Sequence, residues 1–167
     1  MPPIAYLGLG SNLGDREANL QQAITALLAS GLELVAASSI YETDPVDFLD
    51  QPKFLNQVIA VNAEHFDPIS LLRLCLETEI RLGRVRTVPR GARTIDIDLL
   101  LFGNHIISAT LDGIELTLPH PRMHLRRFVL QPMAEIAPQT QHPLLNQTIS
   151  QLLDSVPDFT QVTIYRR

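Results

Sequence analysis

Tryptophan is absent from this chain of 167 residues, and cysteine and lysine occur once each, as Cys75 and Lys53. A single cysteine excludes an internal disulfide framework and fits a reducing compartment. Set among leucines, Cys75 reads as core filler. No apolar run approaches the roughly 20 residues that a membrane-spanning helix needs. The start, MPPIAYLGLG, lacks a basic leader and a small-residue cleavage site, so the expectation is a soluble, cytoplasmic protein. The net charge of −5 argues against general nucleic-acid binding. No serine sits in a G-x-S-x-G elbow, no Walker A lysine is present, and the five histidines show no zinc-ligand spacing.

What is present suffices for one domain, expected to span residues 1–167. Hydrophobic residues make up 46% and charged residues 19%, an ordinary globular balance. PIAYLGLG reads as a first strand. Leu20, Ala23, Ile24, Leu27 and Leu28 form the apolar stripe of a helix that Gly31 stops. Residues 32–43 read as one second strand and residues 55–64 as a third. Asp67 is an N-cap with Pro68 in the first helical position, and that helix runs to Leu82. An arginine-rich loop, 84–94, leads into a strand at RTIDIDLLLFG. A helix is expected from about residue 123 to 136, then a short helix at TISQLLDSV and a strand at FTQVTIYR. The order β-α-β-β-α-β predicts an α+β fold of the ferredoxin-like, split βαβ kind. Its antiparallel sheet would carry helices on one face, with helical and strand additions after it.

Strict alternation along RTIDIDLLLFG puts Asp96 and Asp98 on one face together with Leu100 and Phe102. Carboxylates on an otherwise apolar strand need partners, and like charges two apart on one face repel. The arginines suggest what such partners are. Arg84, Arg86, Arg90 and Arg93 fall within ten residues that contain no acid, and Arg122, Arg126 and Arg127 share PHPRMHLRR with His120 and His124. Arginine is the preferred fork for phosphate oxygens. One or two carboxylates plus substrate phosphates are also the usual ligands of Mg²⁺. Metal ions with a bound polyphosphate would therefore neutralise the pair. Buried salt bridges to Arg84, Arg86 or Arg93, or a solvated strand end, are the alternatives.

Weaker signals surround these. GLGSNLGD fails as a dinucleotide fingerprint, because Leu13 stands where the third glycine belongs, and reads as a tight strand-to-helix turn. Phe54, Asn56 and Phe128 would suit a flat heterocycle, although phenylalanines are more often core. A nucleotidyltransferase or phosphoesterase could also use a D-x-D strand. A ferredoxin-like RNA-binding module is disfavoured by the charge and by the lack of paired strand aromatics.

Six stretches come in order along the chain. They are GLGSNLGD, Thr43 before an acidic loop, QPKFLNQV, E-x-x-x-GRVR from Glu79, GARTIDIDLLLFGN, and LPHPRMHLRRFVLQPMAEIAP. Together they closely resemble the 6-hydroxymethyl-7,8-dihydropterin pyrophosphokinases of folate biosynthesis. The resemblance implies pyrophosphate transfer from MgATP to the pterin hydroxymethyl group by a ferredoxin-like monomer. It implies Asp96 and Asp98 as ligands of two Mg²⁺ ions, and Arg84, Arg93 and Asp98 as catalytic groups. Glu79, Arg84, Arg93, Thr117, His120 and Arg126 would bind ATP. Thr43, Phe54, Asn56 and Phe128 would bind the pterin. Arg86 and Arg90 would lie on a loop over the site, where Arg90 replaces a tryptophan that the family carries.

Overall fold

The computed structural model describes residues 1–45, 50–83 and 94–166. Among these lie four α-helices and eight strands. Strands β1 (Ile4–Ser11), β2 (Glu33–Ala37), β3 (Tyr41–Thr43), β4 (Phe54–Asn62), β5 (Asp96–Phe102) and β8 (Val162–Ile164) form one sheet. Its order is β5-β1-β4-β3-β8, with β2 also on β4, and every pairing is antiparallel. Strands β6 (Ile107–Leu111) and β7 (Ile114–Leu118) form a separate hairpin.

Helices α1 (Arg16–Ala29) and α2 (Pro68–Arg81) cover one face. Asp67 caps α2, and the cap is reciprocal: its carboxylate accepts the Ser70 amide while the Ser70 hydroxyl accepts the Asp67 amide. Leu20, Leu27, Leu71 and Cys75 pack on Leu7, Leu9, Leu55, Ile59, Ile97 and Leu99 in the larger core. The expected additions, α3 (Arg127–Ile136) and α4 (Ile149–Ser155), cover the opposite face, where Leu130, Met133 and Leu152 pack on Val58, Leu100 and Leu101. Adjacent residues of β4, Val58 and Ile59, point into different cores, as the period-2 strand requires.

Three expectations change. The second strand, read as continuous over 32–43, is two strands. Ser38 turns inward, its amide donating to the Val58 carbonyl and its hydroxyl accepting the Val58 amide, and the chain leaves the ladder until Tyr41. Alternation along β5 also breaks. The register against β1 passes from Leu7↔Leu99 to Tyr6↔Leu101, so Leu100 is a bulge. Leu100 and Leu101 both enter the α3/α4 core, while Phe102 returns to the larger one. Phe102 therefore does not share the face of Asp96 and Asp98. Finally, the helix expected from residue 123 starts as a 3₁₀ turn, Met123–Leu125, and becomes α-helical only at Arg127.

Candidate active site

A cleft of about 790 Å³ opens where the start of β5 lies against the end of β1. Its floor follows from three strands. Asp96 and Asp98 are half-buried on β5, and their partners across the ladder are Gly10 and Gly8. Ile97 and Leu99 point into the core beneath, so both carboxylates stand on the cleft side. The glycines keep that side bare. A Cβ at Gly10 would come within 3.0 Å of Asn56 Oδ1, and one at Gly8 would touch Leu100. GLGSNLGD is therefore not simply a turn: Gly8 and Gly10 lie in β1 and line the cleft, and Gly14, with φ of 71°, makes the turn. Period and motif searches miss this role, because it depends on which strand lies alongside.

Glu79, from the last turns of α2, reaches under β5. Its Oε2 accepts the amide of Ile97 at 2.7 Å, between the two aspartates. Both residues are buried, so this bond fixes the backbone that carries the pair. Charge from Glu79 and Asp98 adds to burial in pushing the Cys75 thiol well above its ordinary pKa. Cys75 is fully buried core, as its composition suggested.

The opposite wall is the segment from β7 into α3. Thr117 is on β7, and the following chain is tied down where the β5 bulge exposes a carbonyl: the His120 amide donates to Leu100 O at 2.9 Å. His120 Nδ1 accepts the Arg122 amide, which leaves Nε2 as the N–H in the neutral ring. Burial, then the charges of Arg126 and Arg122, press the His120 pKa down to about 4 against a smaller opposing effect of Asp96. At neutral pH this ring is an uncharged donor beside cations, suited to an anionic oxygen. The Arg126 guanidinium carbon lies 5.5 Å from the centroid of Phe128.

The third side carries flat and polar groups. Phe54 lines it, and Asn56 Nδ2 donates to Thr43 Oγ1 at 2.7 Å. Thr43, Phe54, Asn56, Glu79, Asp96, Asp98, Thr117, His120, Arg126 and Phe128 thus all border one cleft. The expectations for Arg84, Arg86, Arg90 and Arg93 fall outside the described residues. Sequence reasoning missed Gln51 and Glu115 as lining groups, while Arg122, noted only as part of the second arginine cluster, lines the cleft as well. It also missed Asn12, which is buried and donates to Gln51 Oε1 at 2.9 Å, tying that lining residue to the end of β1.

Among the described residues no group of three or more His, Cys, Asp or Glu could hold a metal ion. Among the described residues the donor set offers no all-protein cage. It fits Mg²⁺, which takes one or two carboxylates and completes its shell with phosphate oxygens and water.

Paired carboxylates, a neutral histidine and an arginine around one cleft are groups suited to phosphate oxygens and their Mg²⁺, and likeness to known proteins gives the class, an enzyme that transfers a phosphate-bearing group. The family model for 7,8-dihydro-6-hydroxymethylpterin-pyrophosphokinase matches residues 6–138. The chain belongs to this family and is an ATP-dependent pyrophosphokinase. It is 45% identical over 142 residues to the 2-amino-4-hydroxy-6-hydroxymethyldihydropteridine pyrophosphokinase of Bacillus subtilis, covering 84% of this chain and 82% of the relative. The enzyme of that name from Haemophilus influenzae is 37% identical, covering 96% of this chain and 97% of the relative. The folic acid synthesis protein fol1 of Schizosaccharomyces pombe is 37% identical over 92% of this chain, which spans only 20% of that longer relative. The crystal structure of Plasmodium falciparum HPPK-DHPS with pteroate shares the fold, with a TM-score of 0.74 at 17% identity, covering 92% of this chain and 44% of that one. Among the described residues no helix is long and apolar enough to cross a membrane.

Proposed function

We propose that this cleft transfers pyrophosphate from ATP to the hydroxymethyl group of 6-hydroxymethyl-7,8-dihydropterin, in folate synthesis. The observation that carries the reading is adjacency. The carboxylate pair of β5 borders the same cleft as Phe54, Asn56 and Phe128, so a polyphosphate and a flat heterocycle can meet there. The pterin oxygen attacks the β-phosphorus, the bond from that phosphorus to the α–β bridging oxygen breaks, and AMP leaves with that oxygen. The hydroxyl proton is released to solvent, which balances the charge of AMP and the pterin diphosphate.

Asp96 and Asp98 would hold Mg²⁺, two ions in this reading, which when bound offset the phosphate charge and polarise the phosphorus under attack. Glu79 holds the backbone between these carboxylates. The neutral His120 donates Nε2–H and Arg126 its guanidinium to ATP oxygens, with Thr117 beside them. Arg84 and Arg93 would clamp the transferring phosphates, and Arg86 and Arg90 would belong to a loop over the site, as the family resemblance implies. Phe54 and Phe128 stack on the pterin, and Asn56 and Thr43, already bonded to each other, read its edge. Such a transfer needs positioning and charge stabilisation more than covalent participation.

The strand order β5-β1-β4-β3, with α1 and α2 on one face, supports the ferredoxin-like reading. We further propose that residues 1–167 act as one pyrophosphokinase domain, monomeric and cytoplasmic, binding neither nucleic acid nor membrane. Incubation with Mg²⁺, ATP and the pterin tests the function. AMP should form only when the pterin is present, in equal amount with the pterin diphosphate. Release of free pyrophosphate, as from a nucleotidyltransferase, would contradict it.

A further inference from the structure

Helix α3 begins in the cleft wall, with Arg126 as its cap residue and Phe128 in its first turn. The side chain of Arg126 makes no capping hydrogen bond. A residue far along the chain takes its place. Asp158 Oδ2 accepts the Arg127 amide at 3.0 Å. In return, Arg127 Nε donates to the Asp158 carbonyl at 3.0 Å. The other carboxylate oxygen, Oδ1, accepts the Thr160 amide at 2.9 Å and so sets the chain's direction after it. Burial works to raise the Asp158 carboxyl, but its bonds to Thr160 and Arg127 outweigh that and hold it below the usual carboxylate range.

From Asp158 the chain runs directly to the other side of the cleft. Val162 pairs with Thr43 in the β8–β3 ladder, and the Val162 carbonyl accepts Gln131 Nε2 of α3 at 3.3 Å. Thr43 is in turn bonded to Asn56. Residues 158–162 therefore join the element that carries Phe128 to the one that carries Thr43. Asp158 itself lies outside the family match, which covers residues 6–138.

We propose that Asp158 is a positioning residue for the pterin half of the site: by capping α3 from outside the helix it holds Phe128 at a fixed span from Thr43 and Asn56. Asp158 touches no substrate; it acts through the Arg127 backbone. Without the cap, the first turn of α3 frays and Phe128 within it loses its fixed direction, whereas Arg126 stays tied to the preceding 3₁₀ turn by its amide bond to the Met123 carbonyl. The inference rests on the assignment of Thr43, Asn56 and Phe128 to the pterin.

The test compares Asp158→Ala and Asp158→Asn with the wild type in the AMP assay, varying pterin and ATP separately. Asparagine keeps an oxygen that can accept the Arg127 amide, whereas alanine does not. Asp158→Ala should raise the pterin KM about fivefold and change the ATP KM by less than about twofold, and Asp158→Asn, which keeps one of the two acceptor oxygens, should raise the pterin KM by less than the alanine variant does and leave the ATP KM within about twofold of wild type. A purely structural role would lower thermal stability and leave the pterin KM alone. That result, or an asparagine variant as impaired as the alanine one, overturns the inference. Should the alanine variant not fold, Asp158→Glu is read by the same KM split, because its longer side chain carries the carboxylate past the amide. Wild-type protein without pterin-dependent AMP release would overturn the reading of the site, and this inference with it.

Discussion

Glu79 makes the most quantitative prediction. Its carboxylate accepts the Ile97 amide at 2.7 Å, and both residues are 3% exposed. Alanine at 79 removes the acceptor and strands a buried N–H between the two cleft aspartates. A hydrogen bond to a charged group contributes about 1.5–3 kcal/mol, and an orphaned buried donor costs a similar amount. A loss of about 2 kcal/mol is expected for Glu79→Ala. In a domain of this size each kcal/mol shifts Tm by about 2–4 °C, so the fall should be about 4–8 °C. Glu79→Gln keeps an amide oxygen in reach of Ile97, so it should lose about half as much, with neutral in place of charge-assisted bonding. Differential scanning fluorimetry of the three proteins without ligand reads this directly. Equal losses for the two variants, or an alanine variant within about 1 °C of wild type, would refute the claim that this bond anchors β5.

Phe128→Ala should weaken pterin binding by roughly 0.5–1.5 kcal/mol beyond the lost contact area while leaving ATP affinity nearly unchanged, as calorimetric titration would show; equal weakening of both ligands would make Phe128 a core residue. The depressed pKa of His120, about 4 against 6.5, makes a pH prediction. Below about pH 6.5 the unfolded chain takes up a proton that the folded chain refuses, so stability should fall from there down to about pH 4. His120→Gln should flatten that slope in urea titrations at about pH 7 and about pH 5, and an unchanged slope would place the effect elsewhere. Arg90→Trp should tighten pterin binding in the presence of a non-hydrolysable ATP analogue, since it restores the aromatic surface that the family places there; no change in affinity would mean that residue 90 does not cover the pterin.

Patterns with a local cause were readable from the sequence. The Asp67-Pro68 start of α2 needs only a capping side chain and a fixed φ, and it is present with Ser70 completing the box. The D-x-D strand placed both aspartates on one open face because Ile97 and Leu99 demand the core. The bulge at Leu100 was not readable, because four successive apolar residues from Leu99 to Phe102 satisfy a strand buried on both faces in either register. The β6–β7 hairpin did carry a signal. Asp112-Gly113, both with positive φ, sits between Leu111 and Ile114, the two-residue turn that Asp-Gly favours. Ser38 and Ser39 marked the break in the second strand only in retrospect, since the cause is a hydrogen bond to Val58 across the sheet. Gly8, Gly10, Asn12 and Asp158 owe their roles to neighbours far away in the chain, which composition and spacing do not encode.

The carboxylate pair at the start of β5 stands at the centre of the proposed transfer, and one variant addresses it. Asp98→Ala removes a single half-buried carboxylate opposite Gly8 and leaves the Glu79–Ile97 bond in place. With Mg²⁺, ATP and 6-hydroxymethyl-7,8-dihydropterin, pterin-dependent AMP formation should fall by about 100-fold or more, equivalent to roughly 2.7 kcal/mol of transition-state stabilisation, in a protein whose circular dichroism matches wild type. A folded Asp98→Ala protein that still forms AMP at near wild-type rate would show that the transfer does not depend on this pair.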